Sequence, residues 1–530
     1  MAEPMSEIIA PQPQRAGQEP ASAAPADGAV QPSTNEVSKL YRRSSQFLGG
    51  QIALFLLGFV SFPILARMFS VAEFGLIALV QNTIAVAVVF SKSGLQHAVQ
   101  RFYKENAVSK APGALRRYYS SLFFGAAGAG LAITLIFLLS LWLLPHNLVS
   151  PPLQRLLGYA SALIFIRSVQ SMISNLLQVE GKAKAFTVLQ LGIKAATIAL
   201  TVLLLVTWQT APTVFFVGMI LVEASTVLLM LPYLRRRRIL AAGGFDRHLL
   251  RVAMAFGLPM MATEICWLIL DSGDRFLVQG FLGARALGYY AAAYNISSYI
   301  RDALSAPVYL ALFPICMELW IIKGKQATQE FLSRLMDHFI LAGVGLVCAV
   351  SVVARDAIHI LASPKFLESH RLLPYLLIGQ VISAVSMFPR ISLLIHKRTL
   401  AMARAVFLGG LLNILLDIFL LPRLGLLGAA IGTLGAYMFS TLLFAWESQR
   451  LLPLKMRWAA WTRYVVVGAA SWTIVSQLTL EKVYVDLAIK GAMSLTLYFG
   501  TLWLVDQKVR DLADVFFRTL FGFRTTPELT

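Results

Sequence analysis

Charged residues are scarce in this sequence. Of its 530 residues, 14% are Asp, Glu, Lys or Arg, whereas 57% are hydrophobic. A soluble globular chain carries about 25% charged residues, so a chain of this length could not cover its surface with enough charge to stay in water. The composition excludes a soluble globular protein and indicates that lipid is the main solvent.

Cysteine is almost absent too, and the usual motifs of zinc and nucleotide sites are missing. The three cysteines, Cys266, Cys316 and Cys348, lie far apart in or beside apolar stretches, which indicates small buried side chains rather than disulfides or metal ligands. No glycine-rich loop followed by Lys-Ser or Lys-Thr occurs, so ATP drive is not expected. The sequence predicts no metal and no cofactor.

The sequence also lacks a long polar insertion. Residues 1–40 are rich in Pro, Ala, Gln and Gly without the apolar core of a signal peptide, so we expect a disordered cytoplasmic tail. The longest outer break between apolar stretches, residues 356–372, is about 17 residues long. Membrane enzymes that act on glycan lipids generally need a larger extracytoplasmic loop, so an enzyme is not expected.

What the sequence does contain is a long series of apolar stretches. A membrane-spanning helix needs roughly 20 mostly apolar residues. Fourteen such stretches occur, the first of which begins at residue 44. They are expected at 44–66, 73–92, 118–144, 154–178, 187–208, 212–234, 252–273, 287–313, 329–354, 371–395, 401–421, 425–447, 463–480 and 486–505. The predicted fold class is an all-α polytopic membrane protein.

The basic residues indicate the orientation of these spans. A formal net charge of +19 would suggest nucleic acid in a soluble protein, so the positions of the charges matter more than their number. With a cytoplasmic amino terminus, about 31 Lys and Arg residues fall inside, about 10 outside and about four within spans. The positive-inside rule then predicts a bacterial inner (plasma) membrane protein with both termini cytoplasmic and no nucleic-acid partner.

A weak internal repeat divides the spans into two sets of six. Phe74-Gly75 and Asn82 recur, shifted by 213 positions, as Leu287-Gly288 and Asn295. Because six is even, both copies enter the membrane in the same direction, and the substrate of such transporters lies between the halves. The predicted domains are the tail 1–40, six-helix bundles at 44–234 and 252–447, an accessory helix pair at 463–505 and a cytoplasmic tail at 506–530.

Four segments resemble a known family. They are residues 62–75 (FPILARMFSVAEFG), 100–105 (QRFYKE), 273–295 with its GDRFL and LGYY motifs, and 413–430 (NILLD followed by PRLGLLGAA). In this order they resemble the Wzx-type polysaccharide biosynthesis flippases of the multidrug/oligosaccharidyl-lipid/polysaccharide (MOP, MATE-like) superfamily. The resemblance implies two pseudo-symmetric six-helix bundles around a central cavity, and a polyprenyl-pyrophosphate-linked oligosaccharide as substrate.

Ionisable residues at bilayer depth usually face a wet cavity, because exposing them to lipid costs at least a few kcal/mol each. A lipid pyrophosphate carries several negative charges, and arginine offers a planar fork to phosphate oxygens. We therefore hypothesise that Arg167, Lys194, Arg301 and Arg390 bind the substrate. The alternatives are that some of them neutralise carboxylates, as Arg301 beside Asp302 could, or that Arg390 snorkels to the inner surface.

The seventh span carries acidic residues that suggest gating or ion coupling. Glu264 and Asp271 share one helical face, Asp274 follows, and Pro259 lacks the donor that would complete the helix ladder. A desolvated Glu264 could exchange protons and so couple transport to a gradient. The alternative is a carboxylate paired to a neighbouring cation.

These observations predict a flippase that moves its substrate from the cytoplasmic to the periplasmic leaflet by alternating access, for export of an O-antigen, capsule or exopolysaccharide. Membrane lipids, a polysaccharide polymerase and chain-length proteins would be its partners. The main alternative is a MATE-like, ion-coupled small-molecule antiporter, which would be expected to have an acidic, aromatic cavity. An enzyme of the same pathway and a scaffold without transport activity are further alternatives.

Overall fold

The computed structural model describes residues 34–108, 113–145, 149–237, 239–479 and 482–520. Most of the predicted tail 1–40 and the last ten residues of the predicted tail 506–530 lie outside these ranges. Two units can be separated, residues 1–45 and residues 46–530. The contacts below all lie within the second unit.

The described residues form eighteen α-helices and two 3₁₀ helices, with no strand. The helices are α1 Thr34–Met68, α2 Val71–Lys92, α3 Leu95–Val108, α4 Ala114–Leu143, α5 Pro151–Ala160, α6 Ala162–Val179, α7 Ala183–Thr207, α8 Pro212–Arg236, α9 Arg247–Ile322, α10 Gly324–Val352, α11 Ala354–Leu361, α12 Leu373–Val385, α13 Met387–Ile395, α14 Thr399–Leu424, α15 Leu426–Gln449, α16 Trp458–Ser476, α17 Val483–Val505 and α18 Gln507–Leu520. The 3₁₀ helices are Ala242–Gly244 and Pro364–Arg371.

Within the described ranges, eleven helices are long and apolar enough to cross a membrane, and Ile52–Met68 is a shorter apolar segment. One of the eleven, α9, has 76 residues and contains Gly283 with φ 81° and ψ 177°, a backbone conformation outside the helical region. It therefore has two arms, 247–282 and 284–322, which overlap the seventh and eighth predicted spans. The all-α polytopic membrane fold is confirmed, and the count of fourteen spans stays a prediction.

The tenth predicted span is broken, and the sequence explains why. Residues 371–395 contain α12, which ends at Val385, and α13, which begins at Met387. Pro389 has no N–H to donate to the carbonyl of Val385, four residues earlier, so a continuous helix would leave that carbonyl without its partner. The inner part of this span is therefore a separate helix, α13.

Glycines bring the two predicted halves into backbone contact at both ends of the molecule. At the end that the predicted orientation places outside, a Cβ on Gly288 would lie 1.9 Å from the Val71 carbonyl oxygen. At the opposite end, a Cβ on Gly94, whose φ is +70°, would lie 1.9 Å from the Gly257 carbonyl oxygen. No other residue type fits at such an approach, so these glycines fix how closely α2 packs along α9.

We expect Gly288→Ala to destabilise the protein, because its methyl group would overlap backbone atoms that cannot move independently of α2. Overpacking of this kind costs about 1–3 kcal/mol, so the thermal midpoint in detergent should fall measurably. Gly280→Ala in the same helix is the control, because a Cβ there meets nothing within 4 Å. Equal midpoints for the two variants would show that the contact at Gly288 does not constrain the fold.

Candidate functional site

A cavity of about 610 Å³ lies between the two predicted halves. The first half contributes α2 and α6 to its wall, and the second contributes both arms of α9 with α12, α13 and α15. Its charged lining residues are the cations Lys92, Arg167, Arg301 and Arg390 and the carboxylates Glu264 and Asp271. Glu223 and Asp302, outside this lining, pair with Arg167 and Arg301, and Lys92 pairs with Glu264, so the suitability of the central cavity for an anion depends on Arg390.

The structure brings together five of the seven predicted site residues. Arg167, Arg301, Arg390, Glu264 and Asp271 line the central cavity. The other two lie elsewhere: Lys194 lines a separate cavity of about 180 Å³ bounded by α1, α2, α7 and α8, and Asp274 is fully buried behind the central cavity wall. Depth in the membrane was the signal for all seven, but depth does not specify which face of a helix a residue occupies.

Arg167 is held by a carboxylate. Its Nε donates to Glu223 Oε2 at 2.9 Å, and its Nη2 donates to Glu223 Oε1 at 2.8 Å. The Glu223 side chain is 8% exposed, so α6 and α8 enclose this two-bonded pair. The pair satisfies both charges, and Arg167 therefore reaches the cavity with its charge already compensated.

Arg301 is also paired, through several bonds. Its Nε donates to Asp302 Oδ1 at 2.9 Å and its Nη1 to Gln380 Oε1 at 2.6 Å. Asp271 Oδ1 lies 3.8 Å from the same Nη1 and accepts hydrogen bonds from the hydroxyls of Tyr294 and Tyr437. Arg301 thus belongs to a polar network that connects both arms of α9 to α12 and α15.

Arg390 differs from the other cations of the central cavity, because it forms no hydrogen bond or ion pair with a described residue. Its guanidinium lies over the rings of Trp267, 4.7 Å from the centroid, and Phe444, 5.8 Å from the centroid. Its Nε is buried without a hydrogen-bond partner. A buried charge normally has a charged or hydrogen-bonding partner, so the donors of Arg390 are available to an anionic ligand.

Lys92 was not among the predicted site residues, yet it closes one end of the cavity. Its Nζ donates to Glu264 Oε1 at 2.7 Å, and Gln96 Nε2 donates to Glu264 Oε2 at 2.8 Å. Lys92 ends α2 and Gln96 is in α3, whereas Glu264 is in α9, so these bonds join the two predicted halves at the inner end. In the sequence Lys92 stands at the end of a span, where a basic residue usually marks the membrane surface, so its position does not indicate a site residue.

The opposite end is closed by bonds to backbone carbonyls. Arg67 Nη2 donates to the Ile360 carbonyl at 2.6 Å, which joins α1 to α11. Lys365 Nζ donates to the carbonyls of Arg67, at 3.0 Å, and Phe69. Polar contacts therefore join the two predicted halves at both ends of the central cavity.

A second polar cluster lies behind the cavity wall, among α9, α14 and α15. Asp274 accepts hydrogen bonds from Tyr290 and Thr433, and its Oδ1, which has no hydrogen-bond partner, lies 3.9 Å from Nη1 of the buried Arg275. Asp417 and Asn413 are fully buried, and none of their side-chain oxygen and nitrogen atoms has a partner among the described residues. Buried polar atoms are normally satisfied, so Asp417, which has no donor or counter-charge among the described residues, requires a proton or a small cation.

The acid cluster is not a conventional transition-metal site. No group of three or more His, Cys, Asp or Glu side chains in the described ranges could hold a metal ion. Two carboxylates with an amide oxygen and a hydroxyl are instead oxygen ligands suited to a hard cation. A Cβ on Gly432 would lie 2.2 Å from Asp417 Oδ1, so this glycine provides the space that the carboxylate occupies.

We expect Lys92→Gln and Glu264→Gln to loosen the inner gate, because each leaves the other charge unpaired. In a chain without its native cysteines, thiol labelling at a cysteine replacing Ser305 should become several-fold faster from the cytoplasmic side. The exchange Lys92→Glu with Glu264→Lys should restore slow labelling. Arg101→Gln breaks an exposed pair within α3 and is the control; if it accelerates labelling equally, the Lys92–Glu264 pair is not a gate.

Solved structures of similar fold support this architecture. The lipid II flippase MurJ in an inward-closed conformation aligns with a TM-score of 0.67 and 16% identity over 88% of this chain and 99% of that chain. An inward-facing multidrug resistance MATE family transporter of the MOP superfamily aligns with a TM-score of 0.55 and 13% identity, over 80% of this chain and 95% of that chain. At these identities the likeness concerns the fold alone.

The sequence comparisons identify the family. An uncharacterized membrane protein of Methanocaldococcus jannaschii is 24% identical over 278 residues, which are 51% of this chain and 54% of that protein. This chain thus spans about half the length of the curated relative that it matches. The model of the polysaccharide biosynthesis protein family matches residues 42–320, more than half of the chain, and the chain therefore belongs to the polysaccharide biosynthesis protein family.

Proposed function

We propose that this protein is a flippase that moves a polyprenyl-pyrophosphate-linked oligosaccharide across the inner membrane, from the cytoplasmic to the periplasmic leaflet. The observation that carries the proposal is Arg390, a cation without a counter-charge among the described residues at the wall of the central cavity. A pyrophosphate in the cavity would supply the missing counter-charge. The family and the MurJ-like fold support the same class of cargo.

The three arginines of the central cavity would act in different ways on such a headgroup. Arg390 would bind it directly, because its side chain has no partner among the described residues and its guanidinium is already positioned on Trp267 and Phe444. Arg167 and Arg301, which their carboxylate partners hold in place, would offer their remaining N–H donors. Guanidinium groups at several depths in the membrane would match the oxygens of a multiply charged phosphate group.

The lipid tail needs an apolar site beside the headgroup site. An apolar cavity of about 520 Å³ lies between α10, α12 and α16 and is lined by residues such as Val344, Ile378 and Val465. Helix α12 separates it from the central cavity, to which it contributes Ser383 and Ala384. We propose that the accessory helix pair, α16 and α17, completes a groove for the polyprenyl chain.

Alternating access would follow from the two gates. In this proposal the six-helix bundles 44–234 and 252–447 rock against each other, so that the Lys92–Glu264 gate and the Arg67–Ile360 gate open in turn. The exported glycan, an O-antigen, capsule or exopolysaccharide, would then be passed to a polymerase with its chain-length proteins. Both termini would face the cytoplasm.

The main alternative, a MATE-like antiporter of organic cations, is less consistent with the central cavity. An organic cation would face the unpaired Arg390 there, and both lining carboxylates, Glu264 and Asp271, are within reach of a basic side chain. Such a cavity repels cationic drugs and attracts anions. The family match and this charge distribution therefore favour a phosphorylated lipid.

We expect Arg390→Gln to reduce flipping at least about tenfold, because a charge-assisted hydrogen bond contributes about 1.5–3 kcal/mol. The flipping rate would be measured as the movement of a fluorescent lipid-linked oligosaccharide from one leaflet of a proteoliposome to the other. Arg390→Lys should retain part of the activity, because it keeps the charge but not the planar fork. Arg398→Gln, an exposed arginine in the loop before α14, is the control; undiminished flipping by Arg390→Gln would reject the headgroup site.

We also propose that transport is coupled to a cation bound at the acid cluster of Asp274, Asn413 and Asp417. Glu264 is less suitable for this role, because Lys92 and Gln96 already occupy both of its oxygens. The acid cluster, in contrast, has two carboxylates without enough donors. Buried carboxylates in transporters commonly mark ion pathways.

We expect Asp417→Asn to abolish the dependence of flipping on the coupling gradient while leaving the fold intact, because the amide supplies a neutral group of the same shape. Flipping would be measured under an imposed sodium gradient and, separately, under an imposed proton gradient, which identifies the ion. Asp302→Asn, in the central cavity network, is the comparison: it should lower the rate but keep the dependence. A normal gradient response in Asp417→Asn would contradict coupling at this cluster.

A further inference from the structure

A large polar cavity of about 960 Å³ lies at the outer end of the accessory pair, apart from the central cavity. It is bounded by the end of α10, by α11, by the 3₁₀ helix Pro364–Arg371, and by the facing ends of α16 and α17. In the predicted orientation this is the extracytoplasmic end. Neither the resemblance nor the central site assigns a role to it.

The charge of this outer cavity is mainly positive. Arg355, Arg371 and Lys490 line it, together with His359 and His370. Arg355 is exposed and forms no hydrogen bond or ion pair with a described residue, and Arg371 is 68% exposed with only a 3.9 Å contact to the exposed Glu368. Two arginines at the mouth of the cavity are therefore available to an anion from solution or from the membrane surface.

The two carboxylates of the outer cavity are largely compensated. Asp486 accepts a hydrogen bond from Lys490 at 2.7 Å, and both side chains are buried in α17. Burial, together with the neighbouring carboxylate of Asp486, raises the pKa of Asp356 above its ordinary value. Because Lys490 compensates Asp486, Asp356 alone does not cancel the charge of the two arginines.

The outer cavity adjoins the apolar cavity described above. Ser351, Pro374 and Trp472 line both of them. One cavity is thus lined by apolar side chains of α10, α12 and α16, and the adjoining one by basic side chains at the membrane surface. This arrangement matches an amphiphile whose apolar chain lies in the first and whose anionic head lies in the second.

We propose that the outer cavity is a second headgroup site, which holds the pyrophosphate of the flipped polyprenyl lipid in the outer leaflet while its chain stays in the adjoining apolar cavity. This inference rests on the proposed function, which supplies the identity of the lipid. Arg355 and Arg371 bind the pyrophosphate oxygens, and Lys490 contributes positive potential at the base of the cavity. The central cavity and the outer cavity then receive the same headgroup before and after translocation.

Binding of polyprenyl pyrophosphate to the purified full chain in detergent tests the proposal. The measurement is made in an Arg390→Gln background, which weakens the central site, and the additional changes are Arg355→Gln with Arg371→Gln. We expect these two changes to weaken binding at least about tenfold, because they remove charge-assisted hydrogen bonds. Arg423→Gln in the same background is the matched control, because this exposed outer arginine lies on Phe419, away from the cavity.

Binding of three further ligands distinguishes recognition of the whole lipid from recognition of its parts. Polyprenol of the same chain length and inorganic pyrophosphate should each bind much more weakly than polyprenyl pyrophosphate, because each lacks half of the recognised chemistry. Equal affinity for polyprenol, equal competition by phosphatidylglycerol, or no loss from the two arginine changes would each overturn the outer site. If Arg390→Gln does not fold, the double variant Arg167→Gln with Glu223→Gln provides the background.

The outcome is separable from that of the proposed function. The central site is judged by flipping in Arg390→Gln, whereas the outer site is judged by equilibrium binding in that background. Loss of flipping together with unchanged binding in the Arg355 and Arg371 variant would reject the outer site alone. Normal flipping in Arg390→Gln would reject the central headgroup site, whatever the binding measurements give.

Discussion

A charge in the interior of a membrane protein needs an opposite charge, water or a ligand, and this requirement shapes the protein more than any other. Removing an ion from water costs several kcal/mol unless a partner offsets it. Arg167 with Glu223, Lys92 with Glu264 and Arg301 with Asp302 each meet the requirement internally. The pairs keep polar helix faces turned toward a common space, and the central cavity persists because these faces cannot pack against lipid.

The exceptions to this pairing carry the functional argument. Arg390 has aromatic rings around it but no acid, and Asp417 has close neighbours but no donor. A positive group and a negative group could have paired with each other if they were adjacent, but they belong to different parts of the second half. In the proposed mechanism each instead takes its partner from a mobile species, an anion for Arg390 and a cation for Asp417.

The two gates are built differently from the core of either half. Close backbone contacts at Gly288 and Gly94 set the approach of the helices, and a few hydrogen bonds complete each closure. Gly75 and Gly288, which the internal repeat relates to each other, meet at the outer end. Water can replace these few hydrogen bonds, so opening one of the proposed gates need not expose a large apolar surface.

Much of this could be predicted from the sequence, and the failures have physical causes. The length of apolar runs predicts the helices, because the bilayer thickness fixes that length, and Pro389 explains why α12 ends where it does. The expectation that ionisable residues at bilayer depth face a wet cavity placed Arg167, Arg301 and Arg390 correctly. It failed for Lys194, since rotation about a helix axis is not encoded by depth, and it could not identify Lys92 or the partners of Glu264, because those contacts join distant segments.

The first arm of α9 offers a physical link between the two exceptional sites. Asp271 lies at the central cavity, 3.8 Å from Arg301, whereas Asp274 lies three residues further along in the acid cluster. Residues three apart lie within one turn of a helix, so in the proposed mechanism a cation bound at Asp274 and Asp417 would change the potential at Asp271 and hence at Arg301. Coupling between two ligands is reciprocal. An anionic headgroup in the central cavity must therefore alter the affinity of the acid cluster for its cation by the same factor.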